Sequence, residues 1–324
     1  MDAAPLVSVA LASYNGERYI AEQLRSILGQ SRPPDEVIVS DGGSTDNTVG
    51  LVRELLAARP GIRSRVIADG ARLGVGANFH RAIAATTGTL IALSDQDDVW
   101  HPERIERAVV SFDDPAVLLA SGNARLIDSG GASLPVDLFD ALGVGRRELI
   151  QLNGPEAFAL LVRRNLVTGA TVMFRRQLLA AAEPFPIDWV HDEWLTILAA
   201  SLGSLSVDPV PLIDYRQHAE NAIGVSAPTF GYRVRRMLMS RGDRYPVLAR
   251  RSVELMDRLD SVEGTQRWRM HAAGKAEFEA IRAQYDRRRV RRVLPVLAAL
   301  RSGAYGLFSS QGRLDVLRDI LQAE

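Results

Sequence analysis

Four short apolar runs, each leading into a polar turn and then a helix-spaced pattern or a new acidic turn, fill the first hundred residues. That alternation restricts the chain to an α/β fold, with helices wrapped around a Rossmann-like, mostly parallel sheet. Leu6–Leu11 is the first run and ends in A-S-Y-N-G; a helix from about Glu17 aligns Ile20, Leu24, Ile27 and Leu28 until Pro33 and Pro34 stop it. Glu36–Ser40 is the second run. The turn D-G-G-S-T-D-N-T follows it, with Ser44, Thr45 or Asp46 placed to cap a helix carrying Leu51, Val52, Leu55 and Leu56. Arg65–Ala68 predicts a third strand, and R-L-G-V-G-A-N-F a third helix with Phe79, Ala82 and Ile83 inward. Leu90–Leu93 is apolar at every position, as in a strand buried on both faces.

Ligands of open α/β sheets gather beyond the carboxyl ends of the strands. Three acids stand there after the fourth strand, Asp95, Asp97 and Asp98, in L-S-D-Q-D-D-V-W. Carboxylates that close repel one another unless a cation or donors compensate. A D-x-D in this place can hold a divalent metal through hard oxygen ligands, and the metal can bridge two phosphates. The plainer reading is an acidic turn ahead of the helix opening at Pro102.

Further along, Pro102–Phe112 predicts a helix, Ala116–Ile127 one or two strands, and residues 128–150, rich in Gly, Asp and Ser, a long loop. Leu160–Phe174 predicts a strand or strand pair, and Asp188–Leu202 a helix entered through W-V-H-D-E-W-L. Leu205–Tyr215, with Pro209 and Pro211, reads as an edge strand ahead of Y-R-Q-H-A-E-N. Two long helices are expected over Gly231–Leu259 and Gln266–Ala298, broken near Gly264 and Pro295.

Charge divides the chain in the same place. Residues 1–225 carry 19 Lys/Arg against 28 Asp/Glu, and residues 226–324 carry 20 against 11, so a net charge of zero hides an acidic front and a basic back. This suggests a catalytic domain over 1–225 and a basic helical region over 226–324. The absence of cysteine excludes disulfides, thiolate metal sites and cysteine nucleophiles. The first residues lack the pattern of a signal peptide and no apolar stretch has the length of a span, so a cytoplasmic protein is expected.

Single residues carry little alone. Gly74-Val75-Gly76 is a fragment of a dinucleotide fingerprint and follows the wrong strand; a Walker A pattern is missing. Asp41 reads as a turn cap or as an acceptor for a base or ribose. Asp192 reads as a helix-start acid suited to the macrodipole, or as a functional carboxylate. His218 alone is an ordinary histidine. The order carries more: a D-x-D, an acid about 95 residues after it, and a histidine about 26 residues after that.

Taken together, V-S-V-A-L-A-S-Y-N-G-E-R-Y-I, E-V-I-V-S-D-G-G-S-T-D-N-T, L-G-V-G-A-N-F, L-S-D-Q-D-D-V-W, H-D-E-W-L and Y-R-Q-H resemble the family 2 glycosyltransferases. These are inverting enzymes with a GT-A fold, and the resemblance runs over about residues 5–225 in the family's order. It implies a nucleotide-diphosphate sugar donor, with Ser13, Tyr14 and Asp41 at the nucleoside and Arg72 and Asn78 nearby. Asp95 would reach the ribose or the metal shell. Asp97 would ligate Mg2+ or Mn2+, and His218 would complete that shell. Asp192 is the implied general base, with Glu193 the runner-up because the family's base motif often reads E-D and here runs D-E. A second departure is Ser40, where the family usually has an acid beside the one kept as Asp41. S-D-Q-D-D-V-W with H-D-E-W is most similar to rhamnosyltransferase-type members of bacterial surface-polysaccharide synthesis. The implied acceptor is a glycan or lipid-linked hydroxyl, with no role for nucleic acid.

The run Arg287–Arg292 beside V-L-P-V-L-A-A-L suits a surface lying on anionic lipid on the inner face of the membrane; a helical lid or homodimer contact is the other reading. Two rivals share the fold: a non-catalytic nucleotide-sugar binder, and a nucleotidyltransferase, whose Gly-rich basic first loop is absent here.

Overall fold

The computed structural model describes residues 5–218, 243–286 and 288–322. They form two compact units, one of residues 5–154 and 167–218, the other of residues 155–166 with the described residues from 243 onward.

The first unit holds one nine-stranded sheet. Its elements are β1 (Val7–Ser13), α1 (Ile20–Leu28), β2 (Glu36–Asp41), α2 (Thr48–Ala57), β3 (Arg63–Ile67), α3 (Val75–Ala85), β4 (Leu90–Ser94), β5 (Val99–Trp100) and α4 (Arg104–Val110). There follow β6 (Val117–Ile127), β7 (Ser133–Asp137), α5 (Leu138–Leu142), α6 (Arg146–Leu152), β8 (Met173–Arg175), α8 (Leu179–Ala182), α9 (His191–Leu202) and β9 (Ser204–Arg216); α7 (Ala157–Arg163) belongs to the second unit. The strand order is β3-β2-β1-β4-β8-β6-β9-β5, with β7 on β6. The first four strands are mutually parallel, as the alternating pattern predicts; β8 is antiparallel to both neighbours, and β9 is parallel to β6. The result is the mixed α/β, mostly parallel sheet expected for GT-A. Val9, Leu11, Val37, Ala92 and the α1 stripe Ile20–Leu24–Ile27 fill the core. Edge strand β3 keeps Arg63 and Arg65 exposed, which discourages pairing with another chain.

Several expectations need correction. Residues 128–150 are not a loop: β7, α5 and α6 occupy much of them. Their polar residues act as caps, with the Asp137 carboxylate accepting the Asp140 N–H at 2.8 Å. Leu160–Phe174 is no strand pair, since its start completes α7 and only Met173 and Phe174 belong to a strand, β8. β9 is not an edge strand, because β6 flanks one side and β5 the other. Its prolines sit at an irregularity, where the pairing with β6 skips from Gly122↔Asp208 to Asn123↔Pro211, so their missing N–H groups cost no ladder bond.

The second unit contains α7, α10 (Arg244–Ser261), α11 (Gln266–Ala283), α12 (Arg289–Arg301), α13 (Ala304–Phe308) and α14 (Arg313–Leu321). Gly264, with φ +87°, makes the expected turn between α10 and α11. The expected break at Pro295 is displaced: the chain turns around Asp286, whose carboxylate accepts the Arg288 N–H at 2.7 Å, and Pro295 lies inside α12. The beginning of the helix expected from Gly231, and the residue Arg287, lie outside the described residues. No helix among those described is long and apolar enough to cross a membrane.

Candidate active site

Parallel registration brings three strand ends level. Ser13 of β1 pairs with Asp41 of β2, and Leu11 with Ser94 of β4, so the loops after these strands open on one edge of the sheet. Ser13 Oγ donates to Asp41 Oδ1 at 3.1 Å. The same carboxylate accepts the Ser44 hydroxyl (2.5 Å) and the N–H groups of Gly43 (3.1 Å) and Ser44 (2.8 Å). With four donors on two oxygens, Asp41 holds the turn, the plainer of its two readings; a nucleoside would compete with the Ser13 and Ser44 hydroxyls.

Asn78 is also turned inward. Its Nδ2 donates to the Ser13 carbonyl (3.0 Å) and its Oδ1 accepts from Ser40 Oγ (2.6 Å), which in turn accepts from Arg81 Nε (2.7 Å). Ser40 is therefore built into a brace joining β1, β2 and α3. Tyr14 and Arg72 face water instead: Tyr14 is 39% exposed, and the Arg72 guanidinium lies 5.7 Å from its ring centroid. A flat ring with a cation above it can sandwich a nucleobase.

The acidic loop is tied down on both sides. Gln96 accepts the Tyr14 N–H at 2.9 Å and donates to the Tyr14 carbonyl at 3.0 Å, joining the ends of β4 and β1. Gly16 leaves room for this contact, since a Cβ there would lie 2.2 Å from Gln96 Oε1 and displace the amide. Arg216, at the end of β9, donates from Nε to the Asp97 carbonyl (2.8 Å), from Nη2 to Glu22 (2.6 Å) and from its N–H to Asp98 Oδ1 (3.0 Å). His218 is thereby brought to the acids. Its Nε2 lies 2.7 Å from Asp97 Oδ2, and its ring stacks on Tyr19 at 5.1 Å.

Asp192 occupies the first turn of α9 and is largely buried, with Oδ1 accepting the Glu193 N–H at 2.8 Å. Gly169 packs against it, and a Cβ there would lie 3.2 Å from Oδ2. Arg104, buried and stacked 3.4 Å over Trp100, donates to the Ala170 carbonyl at 2.8 Å and the Leu93 carbonyl at 3.4 Å. It thus links the turn behind Asp192 to the strand that carries the acids.

Electrostatics places the acids in one cleft. Asp95 keeps some contact with water, yet enclosure of its carboxyl raises its pKa to about 8, helped by the charges of Asp97 and then Asp192. Asp98 is pushed well up by burial, then by Asp97 and Asp95, against the opposing pull of the Arg216 N–H and Arg104. The Tyr215 phenol is driven up by burial and then by Asp95, Asp98, Asp97 and Asp192, so Asp192 shares an electrostatic neighbourhood with the D-x-D.

No three His, Cys, Asp or Glu side chains among the described residues form a ready-made metal cage. Asp97 and His218 nevertheless suit a divalent ion, because Mg2+-type sites commonly use one or two protein ligands and take the rest from substrate phosphates and water. Crowded carboxylates that raise one another's pKa are what a cation would relieve. The close approach that Gly169 allows is readable in the sequence, whereas the roles of Gln96, Tyr215 and Arg216 are not. All three stand inside quoted motifs, but the partner is 82 residues away for Gln96 and 119 for Arg216, beyond any spacing rule.

The fold is that of the GT-A glycosyltransferases: S. aureus TarS 1–349, solved with UDP-GlcNAc, shares it at TM-score 0.59 and 17% identity, over 98% of this chain and 90% of that one. The mannosyltransferase PcManGT from Pyrobaculum calidifontis, solved with GDP-Man and Mn2+, does so at TM-score 0.52 and 22% identity, over 97% and 86%. The profile described as Glycosyl transferase family 2 matches residues 8–180, and the chain belongs to that family: it is a glycosyltransferase. Among relatives, the dTDP-rhamnosyl transferase RfbG of Shigella flexneri is 27% identical over 229 residues, 67% of this chain and 74% of its own. The first three curated relatives are matched over 66%, 74% and 59% of their own lengths.

Proposed function

We propose that the enzyme moves a sugar, of the rhamnose type, from a nucleotide-diphosphate donor to a hydroxyl of a glycan or lipid-linked acceptor, with inversion, in surface-polysaccharide synthesis. The observation that carries this reading is the Asp97–His218 contact at 2.7 Å, in a cleft where Asp95 and Asp192 feel each other's charge. The dTDP-rhamnosyl transferase relative supports the sugar, and the GDP-Man and Mn2+ in PcManGT support donor and metal.

Tyr14 and Arg72 receive the base, and Ser13, Asp41 and Asn78 shape the wall beneath it. Asp97 and His218 hold Mg2+ or Mn2+, with Asp95 at the ribose or metal shell. When bound, that ion neutralises the charge growing on the departing diphosphate. Asp192 accepts the proton of the acceptor hydroxyl as its oxygen bonds to the anomeric carbon; the bond from that carbon to the diphosphate oxygen breaks, and the nucleoside diphosphate leaves. Residues 1–225 are the catalytic domain in this reading. The basic region beyond them keeps the enzyme at the cytoplasmic face of the membrane or pairs two copies.

A thermal-shift panel of dTDP-, UDP- and GDP-sugars with and without Mn2+ tests the reading, because a ligand that binds the folded state raises its apparent stability. dTDP-rhamnose with Mn2+ should give the largest shift and be slowly hydrolysed. A protein stabilised by donors but inert in hydrolysis and transfer would be the non-catalytic binder instead.

A further inference from the structure

Helices α12 and α14, which pack on each other in the second unit, bury charged side chains beside Val296, Ala299 and Val316 and leave larger apolar ones outside. α14 buries Asp315 and Asp319 to 1% and 0% exposure while Leu314, Leu317 and Leu321 stand 42–49% exposed on its outer side. The inward acids are engaged: Arg282 Nε donates to Asp319 Oδ2 at 2.8 Å, and the Tyr245 and Tyr305 hydroxyls donate to the same carboxylate at 2.6 and 2.7 Å. α12 likewise buries Arg292, whose Nη1 donates to the Gln322 carbonyl at 2.8 Å, and presents Val290 and Leu294 at 84% and 78% exposure. Val290, Leu294 and Ala298 fall on one outward arc at helical spacing, flanked by Arg288, Arg289, Arg291 and Arg301, all exposed. α12 contains no acid.

Apolar side chains gathered on an exposed helix face suit an apolar medium, and the arginine fringe selects an anionic one. A second copy of the chain fits poorly, because a two-fold contact sets a patch against itself and would bring arginine against arginine. We propose that the outer face of α12 and α14 lies on an anionic lipid surface, with the apolar side chains in the headgroup–acyl boundary and the arginines at the phosphates. The face is too short and too charged to span, so it rests on the bilayer. The proposed lipid-linked acceptor gives this contact its purpose, and vesicle binding is read without donor, acceptor or turnover.

The test is flotation of the full chain with phosphatidylcholine vesicles, with and without phosphatidylglycerol, at low and molar salt. The protein should float only with the anionic vesicles. Val290→Ser with Leu294→Ser, and separately Arg289→Gln with Arg301→Gln, should each weaken binding by roughly tenfold or more with the melting curve unchanged. Molar salt should weaken the parent strongly and the arginine variant less. Three results would overturn the proposal: no flotation, equal flotation with neutral vesicles, or full binding by both variants. A concentration-dependent dimer abolished by the Val290/Leu294 pair, without vesicle binding, would assign the face to a second copy.

Discussion

Asp192 stands in the first turn of α9 and is the base of the proposed mechanism, and substitution separates the two roles. Asp192→Asn keeps the size and the first-turn position, so donor binding should persist while transfer falls on the order of 10²–10⁴-fold in single-turnover measurements. Near-normal turnover would move the base elsewhere, with Glu193 the next acid in the chain. Arg104 is a second revealing residue. Among the described residues Asp98 Oδ2 and Arg104 Nη1 have no hydrogen-bond partner, and the guanidinium is the cation opposing the rise in the Asp98 pKa. Arg104→Met keeps the bulk but removes the donor to the Ala170 and Leu93 carbonyls, so chemical denaturation should show a loss of about 1–3 kcal/mol. No measurable loss would mean that the guanidinium does not hold the two segments together.

At the scale of elements, what could be read in the sequence follows the physics of each segment. The first four strands and three helices are legible because local periodicity marks them, and β1, β2 and β4 add full burial, as in Leu90–Ser94. β9 was misplaced because prolines argue for an edge, and only the irregular pairing with β6 shows how they are absorbed. The 128–150 stretch reads as a loop because its Asp and Gly residues, which cap α5 and turn the chain, are the residues that loops also favour. In the site, Asp97 and His218 were legible as motifs and meet as expected. The saturation of Asp41 by Ser13 and Ser44 depends on a register between strands that no spacing along the chain reveals. Pro295 tests the reassigned α12: interior proline forfeits a backbone bond, so Pro295→Ala should raise stability by about 1–3 kcal/mol in a melt. A destabilised variant would show that the helix is built around its kink.

At the scale of the molecule, the chain joins an acidic α/β region to a basic helical one whose interior holds a charged network around Asp319. The second unit's acid sensitivity follows from Asp319, whose pKa is lowered by Arg282 and by three hydroxyl and guanidinium hydrogen bonds against the opposing effect of burial. A carboxylate with a lowered folded-state pKa stabilises above its unfolded value, here near 3.8, and that contribution disappears as pH falls through the folded value. Helical signal in the second unit should therefore drop steeply below about pH 4, and Asp319→Asn should start less stable with a flatter acid limb. An unchanged acid limb would remove Asp319 from the account.

The central claim is that Asp97 and His218 hold a divalent ion against the donor's diphosphate while Asp192 stands apart as base. Titration calorimetry of a nucleotide-sugar into the parent, Asp97→Asn, His218→Ala and Asp192→Asn, with Mn2+ and with chelator, addresses it most directly. Strong binding that needs Mn2+, lost in the first two variants and kept in the third, is the predicted result. Donor binding indifferent to chelator, or equally strong in Asp97→Asn, would contradict it.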